Sequence, residues 1–358
     1  MRIDTQYSKI IIDTGINSLI KKFIDESEYT KYFLLVDENT SRYCLPVLQS
    51  KNDIEDAKII EIKSGESNKT IKTVSRIWEF LTQNNADRSS LLINFGGGII
   101  GDMGGFAAST FKRGIDFVNI PTTLLSQVDA SVGGKTGINF ENFKNEIGVF
   151  SHPKYVFIDS TFLKTLDKRN VFSGWAEMVK HTLIFSQSDF EYLIQHEIQN
   201  INYKTLNQLI SKSVAIKNHF VESDPYEKGI RKALNFGHTF GHAFESFFMG
   251  HEHNLFHGEA VALGMLCEIY LSHKICNFPS DKMNLIVSYM LNNYQKANIK
   301  ETDFEKIIRL MGHDKKNKGY DINFTLLEDF GKIKINQTCS KNDIIETLKW
   351  YSALKYEN

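Results

Sequence analysis

The chain has 358 residues, of which 42% are hydrophobic and 24% charged, and this length predicts two domains because it exceeds what one core comfortably holds. The formal net charge of −1 gives no electrostatic argument for binding nucleic acid or an acidic membrane surface. The four cysteines are scattered, which predicts no disulfide framework. The first residues lack an apolar signal core, and no apolar run approaches the ~20 residues of a membrane span. We therefore expect a cytoplasmic protein.

The first 160 residues alternate short β-rich runs with helical patterns, an order typical of a parallel sheet in an α/β domain. One helical pattern covers residues 70–83 and places Val74, Ile77 and Leu81 on one face. We therefore expect a Rossmann-like α/β domain with a mainly parallel sheet over residues 1–160. Its predicted strands are Ser8–Asp13, Tyr32–Asp37, Lys58–Ile62, Ser90–Phe95, Phe117–Ile120 and Tyr155–Asp159.

Beyond about residue 165, helical periodicity dominates the pattern. One strand candidate, Ile322–Leu327, precedes a last helix over 341–356 that has Ser340 as its N-cap. Residues 161–358 are therefore predicted to form a second, mainly α-helical domain that binds metal and substrate. Its longer helical segments are predicted at 173–186, 189–221, 228–250, 257–275 and 281–297.

A glycine-rich segment follows the fourth predicted strand and precedes a helical pattern. Gly96, Gly98 and Gly101 fit G-x-G-x-x-G in the strand–turn–helix context that a dinucleotide motif requires. Such glycines let the backbone approach a pyrophosphate at a helix N-terminus, and a tight turn packed under a helix is the alternative. The next strand ends without an acidic residue, so a ribose-binding carboxylate must come from elsewhere. Asp37 and Glu66 are candidates, although each also suits a turn or a helix cap.

Histidines and a carboxylate in apolar surroundings predict a metal or anion site. His238 and His242 are four residues apart, so on a helix both project from one face. Glu177 precedes Lys180 by three residues in an apolar run, which disfavours an exposed ion pair. Glu177, His238 and His257 form a common ligand set for catalytic zinc. The spacing equally allows His238 with His242 as ligands, or two buried structural histidines.

Over nearly its whole length the chain resembles the 3-dehydroquinate synthases of the sugar phosphate cyclase superfamily. The stretches that carry the resemblance are GGGIIGDMGGFAASTFKRG, IPTTLLSQVDASVGGKTGIN, FKNEIGVF, SGWAEMVKH, RKALNFGHTFGHAFES, HGEAVALGM and MGHDKKNKG. The resemblance implies a carbon–oxygen lyase of the shikimate pathway, which leads to the aromatic amino acids. Its substrate is 3-deoxy-D-arabino-heptulosonate 7-phosphate, and its products are 3-dehydroquinate and phosphate. The implied cofactors are a catalytic NAD and a divalent metal, zinc or cobalt, in a homodimer.

The resemblance also implies site residues, position by position. The implied metal ligands are Glu177, His238 and His257. The substrate pocket is implied at Asp129, Lys135, Asn145, Lys180, Lys217, Arg231, Asn235, His242 and Lys315, with Arg113 reaching the substrate phosphate from the neighbouring subunit. The positions around NAD are Asp37, Asn39, Glu66, Lys69, Gly97, Gly98, Asp102, Thr122, Thr123, Lys135 and Lys144.

Three alternative functions share part of this pattern. Paralogous cyclases form amino-dehydroquinate, 2-deoxy-scyllo-inosose or valiolone, and the last two start from sugars without a carboxylate. The dehydroquinate synthase pattern at Arg231, Asn235, His242 and Lys315 disfavours those two, whereas the amino variant shares the carboxylate. An NAD-dependent polyol-phosphate dehydrogenase would have a similar two-domain fold and release NADH. A regulator without catalysis is disfavoured by the intact set of reactive positions.

Overall fold

A computed structural model describes residues 1–49, 56–141, 143–250, 254–312 and 322–355. The chain divides into two compact units. Unit 1 comprises Met1–Asp167 and Ile201–Asn218, and unit 2 comprises Lys168–Asn200 and His219–Asn358. Among the helices in the described ranges, none combines the length and the apolar composition that crossing a membrane requires.

Unit 1 contains nine short strands among the described residues. They are β1 (Arg2–Asp4), β2 (Lys9–Ile12), β3 (Lys31–Asp37), β4 (Lys58–Ile62), β5 (Ser90–Gly96), β6 (Asp116–Pro121), β7 (Lys135–Phe140), β8 (Phe143–Phe150) and β9 (Tyr155–Ile158). Seven of them form one sheet in the order β1-β2-β9-β6-β5-β3-β4. In that sheet β1 and β2 pair antiparallel, and the other pairs are parallel. The predicted mainly parallel sheet is therefore confirmed.

Helices cover both faces of this sheet. They are α1 (Asn17–Asp25), α2 (Glu38–Tyr43), α3 (Leu45–Gln49), α4 (Ile71–Gln83) and α5 (Gly98–Thr110). Ile20 of α1 and Leu48 of α3 belong to the core on one face, and Ile77 of α4 and Met103 of α5 belong to the core on the other. Because both faces are covered, every position of β5 is buried, which fits its mostly apolar sequence.

Unit 2 is mainly helical. Its elements are α6 (Lys168–Leu183), α7 (Gln187–Ile194), the end of α8 (Tyr203–Ser223), α9 (His238–Phe248), α10 (His257–Cys276), α11 (Ser280–Asn293), α12 (Phe304–Gly312), β10 (Asn323–Asp329), β11 (Lys332–Thr338) and α13 (Lys341–Ala353). The central helix is α10, which packs against α6, α9, α11, α13 and β10. It is apolar around most of its circumference, a composition that suits a helix buried on all sides. The predicted helical character of this part is confirmed.

Two predicted helical segments differ in extent from those observed. The segment 189–221 is interrupted between α7 and α8, where the Asn202 side chain accepts from the Thr205 N–H at 2.9 Å and starts a new helix. In the segment 228–250 the α-helix begins only at His238, after the 3-10 helix Ile230–Asn235, because Gly237 adopts a left-handed backbone with φ 81°. The hairpin of β7 and β8 and the strand β11 were not predicted.

Candidate active site

The carboxyl ends of four neighbouring strands in unit 1 carry the residues predicted to bind NAD. Strands β6, β5, β3 and β4 lie side by side and parallel, so these ends meet along one edge of the sheet. In doubly wound folds this edge is the usual nucleotide site. The predicted residues lie at or just after these strand ends. They are Asp37 and Asn39 for β3, Glu66 and Lys69 for β4, Gly97, Gly98 and Asp102 for β5, and Thr122 and Thr123 for β6.

The glycine segment forms a tight turn between β5 and α5. A Cβ on Gly97 would lie 3.2 Å from the methyl carbon of Thr123, and a Cβ on Gly98 would lie 3.2 Å from that of Ala130. A Cβ on Gly101, in the first turn of α5, would instead meet open space. Packing within unit 1 therefore does not explain a glycine at that position. The first N–H groups of a helix suit an anion.

The two candidate ribose carboxylates make local hydrogen bonds. Asp37 Oδ1 accepts from the Thr40 N–H at 2.7 Å, so this residue is the N-cap of α2. Glu66 Oε1 accepts from the side chain of Asn139 at 2.8 Å. The helix-cap alternative is thus present at Asp37, whereas Glu66 is joined to the hairpin of β7 and β8. Both side chains remain at the strand ends that carry the glycine turn.

A buried lysine brings together residues predicted for the cofactor and for the substrate. Lys69 Nζ donates to Asp102 Oδ2 at 2.5 Å and also to Asn145 Oδ1. Burial raises the pKa of Asp102, although the neighbouring Lys69 ammonium opposes this shift. Asn145 has a left-handed backbone with φ 52°, a conformation that residues with a Cβ adopt at a cost and that is frequent at functional sites. Lys69, Asp102 and Asn145 thus form one polar cluster.

A second ion pair in unit 1 joins two predicted substrate residues. Lys217 on α8 is 6% exposed, and its Nζ donates to Asp129 Oδ1 at 2.7 Å and to the Asp129 carbonyl at 2.5 Å. Asp129 lies in a π-helical turn, Ser126–Ala130, a local geometry that is frequent at functional sites. The two predicted substrate residues are therefore held together by a buried ion pair.

The remaining predicted residues of unit 1 lie on the hairpin and after α5. Lys135 begins β7 opposite Phe150, and Lys144 lies on β8. Arg113 is exposed, and it and Lys112 have consecutive left-handed backbones with φ 70° and φ 50°. Two such residues in a row store backbone strain that is typical of functional segments.

In unit 2, three side chains from three helices converge. Glu177 lies on α6, His238 starts α9 and His257 starts α10, and one ligand atom of each lies within 4.8 Å of the others. Glu177 Oε1 is 3.7 Å from His238 Nε2 and 3.3 Å from His257 Nε2. His238 Nδ1 donates to the carbonyl of Phe236 at 3.1 Å, so the neutral ring keeps its Nε2 lone pair on the side of Glu177. This is a donor set for a divalent metal such as zinc.

Cationic groups surround the carboxylate of Glu177. Lys180 Nζ pairs with Glu177 Oε2, and because both side chains are buried, the interpretation of an exposed ion pair is wrong. Burial lowers the pKa of His257, but hydrogen bonds to Glu177 and Glu245 outweigh burial and raise this pKa to about 10. The carboxylate of Glu177 therefore lies between the Lys180 ammonium and the His257 ring.

His242 follows His238 by one turn of α9 and lies beside both other rings. Its ring centroid is 5.2 Å from that of His238 and 6.0 Å from that of His257. Among the described residues, the group with ligand atoms close enough to share one ion with Glu177 and His238 contains His257 and not His242. The geometry therefore favours His257 as the third ligand and leaves His242 as a neighbour of the site.

Arg231 and Asn235 lie in the 3-10 segment Ile230–Asn235 that precedes α9. Arg231 is buried, and its Nη1 donates to the Pro225 carbonyl at 2.6 Å. Asn235 Nδ2 donates to Glu227 Oε1 at 2.8 Å. The predicted substrate residue Lys315 lies outside the described residues.

Two acidic residues adjoin the site without having been predicted. Glu245 Oε2 is 3.8 Å from His257 Nδ1, and Glu245 lies seven residues after His238 on α9, so helical spacing could have indicated it. Glu227 contacts Asn235 from an irregular loop, where no periodicity in the sequence points to it.

Family models cover most of the chain. The model for the 3-dehydroquinate synthase N-terminal domain matches residues 59–173, and that for the C-terminal domain matches residues 174–317. The chain belongs to the 3-dehydroquinate synthase family. The predicted resemblance is confirmed, and with it the function: this member of the 3-dehydroquinate synthase family is a phosphate-eliminating cyclase that converts the heptulosonate phosphate into 3-dehydroquinate.

Individual proteins similar to the chain belong to this family or share its fold. The 3-dehydroquinate synthase of Parabacteroides distasonis is 48% identical to the chain, covering 96% of the chain and 97% of the relative. A 2-deoxy-scyllo-inosose synthase solved with carbaglucose-6-phosphate, NAD⁺ and Co²⁺ has a TM-score of 0.87 at 23% identity, covering 98% of this chain and 99% of that one. A 2-epi-5-epi-valiolone synthase from Streptomyces hygroscopicus, solved with NAD⁺ and Zn²⁺, has a TM-score of 0.84 at 22% identity, covering 98% of each chain. These paralogous cyclases share the fold with this 3-dehydroquinate synthase family member.

Proposed function

We propose that the chain performs this conversion with NAD bound at the sheet edge of unit 1 and with zinc or cobalt bound in unit 2. The observation that carries the proposal is the convergence of Glu177, His238 and His257 on one point. Support also comes from the solved cyclases, which hold NAD⁺ together with Co²⁺ or Zn²⁺. When bound, the metal polarises a substrate hydroxyl, and NAD accepts a hydride and returns it within one turnover.

The residues present fit a catalytic metal. Two imidazole nitrogens and one carboxylate oxygen are three protein ligands, which leaves a coordination position for substrate oxygens. The bond from His238 Nδ1 to a backbone carbonyl fixes the ring so that Nε2 points to the ligand group. The carboxylate of Glu177 is fully buried, so it acts in a medium where its charge is weakly screened.

The residues also fit the phosphates of NAD. The open space above Gly101 and the glycines at the start of α5 leave backbone N–H groups accessible to a pyrophosphate. Thr122 and Thr123 lie on the neighbouring strand end, where hydroxyl groups can donate to the same anion. We assign Asp37, Asn39, Glu66, Lys69, Asp102, Lys135 and Lys144 to the rest of the cofactor on the strength of the family pattern.

The substrate carries a carboxylate, a phosphate and several hydroxyl groups, and the predicted pocket supplies matching cations. The planar guanidinium of Arg231 suits bidentate contact with a carboxylate, whereas Lys217 offers a point charge. Asn235 can donate from its amide to a hydroxyl or carboxylate, and His242 lies close enough to the ligand group to contact a chelated hydroxyl. On the strength of the family pattern we also assign Lys135, Asn145, Lys180 and Lys315 to substrate binding.

The reaction of the family proceeds through several bond changes on one substrate. The carbon 5 hydroxyl is oxidised, the neighbouring proton becomes acidic, and phosphate leaves by β-elimination with one of its own oxygens as base. Ring opening and an intramolecular aldol step would then close the carbocycle. Buried donors that are already oriented stabilise the charge that develops at each step.

We further propose a cytoplasmic homodimer in which Arg113 of one subunit reaches the substrate phosphate bound by the other. The exposure of Arg113 and its strained backbone support a role in the neighbouring subunit.

Removal of the metal tests the proposal. A chelator should abolish phosphate release by the purified protein, and zinc or cobalt should restore it, whereas magnesium should not because it prefers oxygen ligands. One metal ion should bind per chain in calorimetry. Full activity after verified metal removal would contradict the assignment of Glu177, His238 and His257.

A further inference from the structure

Glu268 is a buried carboxylate on α10 that the proposed chemistry does not use. The residue is 0% exposed. It follows His257 by eleven residues, which is about three helical turns, so both project from the same side of α10. A carboxylate in such a position is retained only where strong hydrogen bonds satisfy it.

Those hydrogen bonds come from the start of α9. Glu268 Oε2 accepts from the Gly237 N–H at 2.7 Å, and Oε1 accepts from the Thr239 N–H at 3.0 Å and the Phe240 N–H at 3.4 Å. The first N–H groups of a helix have no partner within the helix, and an N-cap side chain usually accepts from them. The N-cap of α9 is Gly237, which has no side chain. The cap of α9 is therefore supplied by α10.

Close packing of backbone reinforces this cap. A Cβ on Gly264 of α10 would lie 2.0 Å from the Gly237 carbonyl oxygen and 2.6 Å from the Gly241 nitrogen. The two helices thus touch through their backbones on either side of His238, the first residue of α9. A shift of α9 along α10 would break the hydrogen bonds to Glu268 and move the His238 ring away from Glu177 and His257.

We propose that Glu268 is a positioning residue for the metal site: by capping α9 from α10, it holds His238 in register with His257. The inference rests on the proposed metal site. The negative charge of Glu268 lies at the N-terminal end of α9, where the helix dipole favours it. The same short segment, Phe236–Gly237, supplies the carbonyl that fixes the His238 tautomer, so the cap also orients the ring.

Two variants and a matched control test the proposal. Glu268→Gln keeps the shape of the side chain and removes its charge, and Glu268→Ala removes the cap. Ser272→Ala is the control, because Ser272 is a buried polar residue one turn further along α10. Its Oγ donates to the Glu268 carbonyl at 2.6 Å and accepts from the Leu327 N–H at 3.0 Å, which leaves α9 untouched.

The measurements are the Co²⁺ dissociation constant by calorimetry and the visible absorption spectrum of the bound Co²⁺, with circular dichroism as the check of folding. Ser272→Ala should bind Co²⁺ with the affinity and spectrum of the wild type. Glu268→Gln should weaken binding by about tenfold or more and change the Co²⁺ spectrum, since supporting residues of metal ligands carry effects of about this size. Glu268→Ala should weaken it further.

Wild-type affinity and an unchanged spectrum in a folded Glu268→Gln variant would overturn the proposal, whether or not Glu268→Ala folds. A loss of affinity as large in Ser272→Ala would overturn it too, because it would reveal a general effect of disturbing α10. Failure of the wild type to bind Co²⁺ would overturn the metal site itself, and with it this inference.

Discussion

His242 and His257 both lie beside His238, yet it is His257 whose nitrogen converges with Glu177. We expect His257→Ala to abolish binding of zinc or cobalt, because two of three protein ligands hold such an ion poorly. We expect His242→Ala to bind the metal nearly as the wild type does and to lose kcat/KM. Calorimetry with each variant checks this. Equal loss of metal in both variants would require His242 to be a ligand.

Asp224 organises the loop that leads to Arg231. Its carboxylate accepts from the backbone N–H groups of Lys228 at 3.0 Å, Gly229 at 2.6 Å and Arg231 at 3.2 Å. Burial raises the pKa of Asp224, but these backbone bonds together lower it more, so the net pKa lies below its ordinary value. The stabilisation is therefore present above the unfolded-state pKa near 3.8 and is lost as pH falls through the folded-state pKa.

We accordingly expect Asp224→Asn to be less stable than the wild type at pH 7, since the amide presents one acceptor oxygen where the carboxylate presents two. The difference should shrink as the pH falls below about 4, because the unfolded wild-type carboxylate then takes up a proton that folding must release. Urea unfolding of both proteins at pH 7 and pH 3 measures this. An equal difference at both pH values would show that the charge of Asp224 does not stabilise the loop.

At the scale of helices, Gly258 allows α10 to approach α6. A Cβ at this position would lie 2.0 Å from the Ser173 carbonyl oxygen, and the Gly258 N–H donates to Ser173 Oγ at 2.9 Å. Glu177 lies one turn after Ser173, and His257 immediately precedes Gly258. The contact between these two backbones therefore sets the distance between the carboxylate and the imidazole.

We expect Gly258→Ala to destabilise the protein by about 1–3 kcal/mol, as overpacking of a dense interior does, and to weaken metal binding. Gly312→Ala is the control, because no atom of the described residues lies within 4 Å of a Cβ placed there. That control should match the wild type in thermal unfolding and in Co²⁺ affinity. If Gly258→Ala behaves like its control, the contact between α6 and α10 does not set the ligand geometry.

Strands and helices with continuous or periodic apolar residues could be predicted from sequence, and others could not. Strand β5 was predictable because burial on both faces favours a mostly apolar run. The β7–β8 hairpin was not, because its residues are largely exposed on β8 and it contains Gly137 opposite Gly148. The break before α8 depends on one hydrogen bond of Asn202, which periodicity does not reveal.

At the scale of the whole molecule, the sequence pattern likewise does not reveal which residues of the candidate site converge. Spacing placed His238 and His242 on one helix face, but the convergence of Glu177 and His257 with His238 depends on how three helices pack. The family resemblance indicated that ligand set where spacing left two options open. The Glu268 cap joins residues about 30 positions apart and has no signature in the sequence, because tertiary hydrogen bonds follow no periodicity.

The proposed dimer predicts complementation between two defective subunits. Arg113→Ala lacks the residue that acts in the partner's site, and Lys217→Ala lacks a residue of its own site, so each homodimer should be nearly inactive. Random subunit exchange should restore about a quarter of wild-type activity, because half of the dimers are mixed and one of their two sites is intact. Phosphate release before and after exchange measures this. A mixture no more active than its components would mean that Arg113 does not act across a dimer.

The central claim is that NAD is used catalytically in a phosphate elimination. The most direct measurement follows phosphate and NADH together while the purified protein, loaded with NAD and zinc or cobalt, acts on 3-deoxy-D-arabino-heptulosonate 7-phosphate. Phosphate should accumulate over many turnovers per NAD while NADH absorbance stays flat, and glucose 6-phosphate and sedoheptulose 7-phosphate should release little or none. Steady accumulation of NADH in step with substrate consumption would contradict the account and indicate a dehydrogenase.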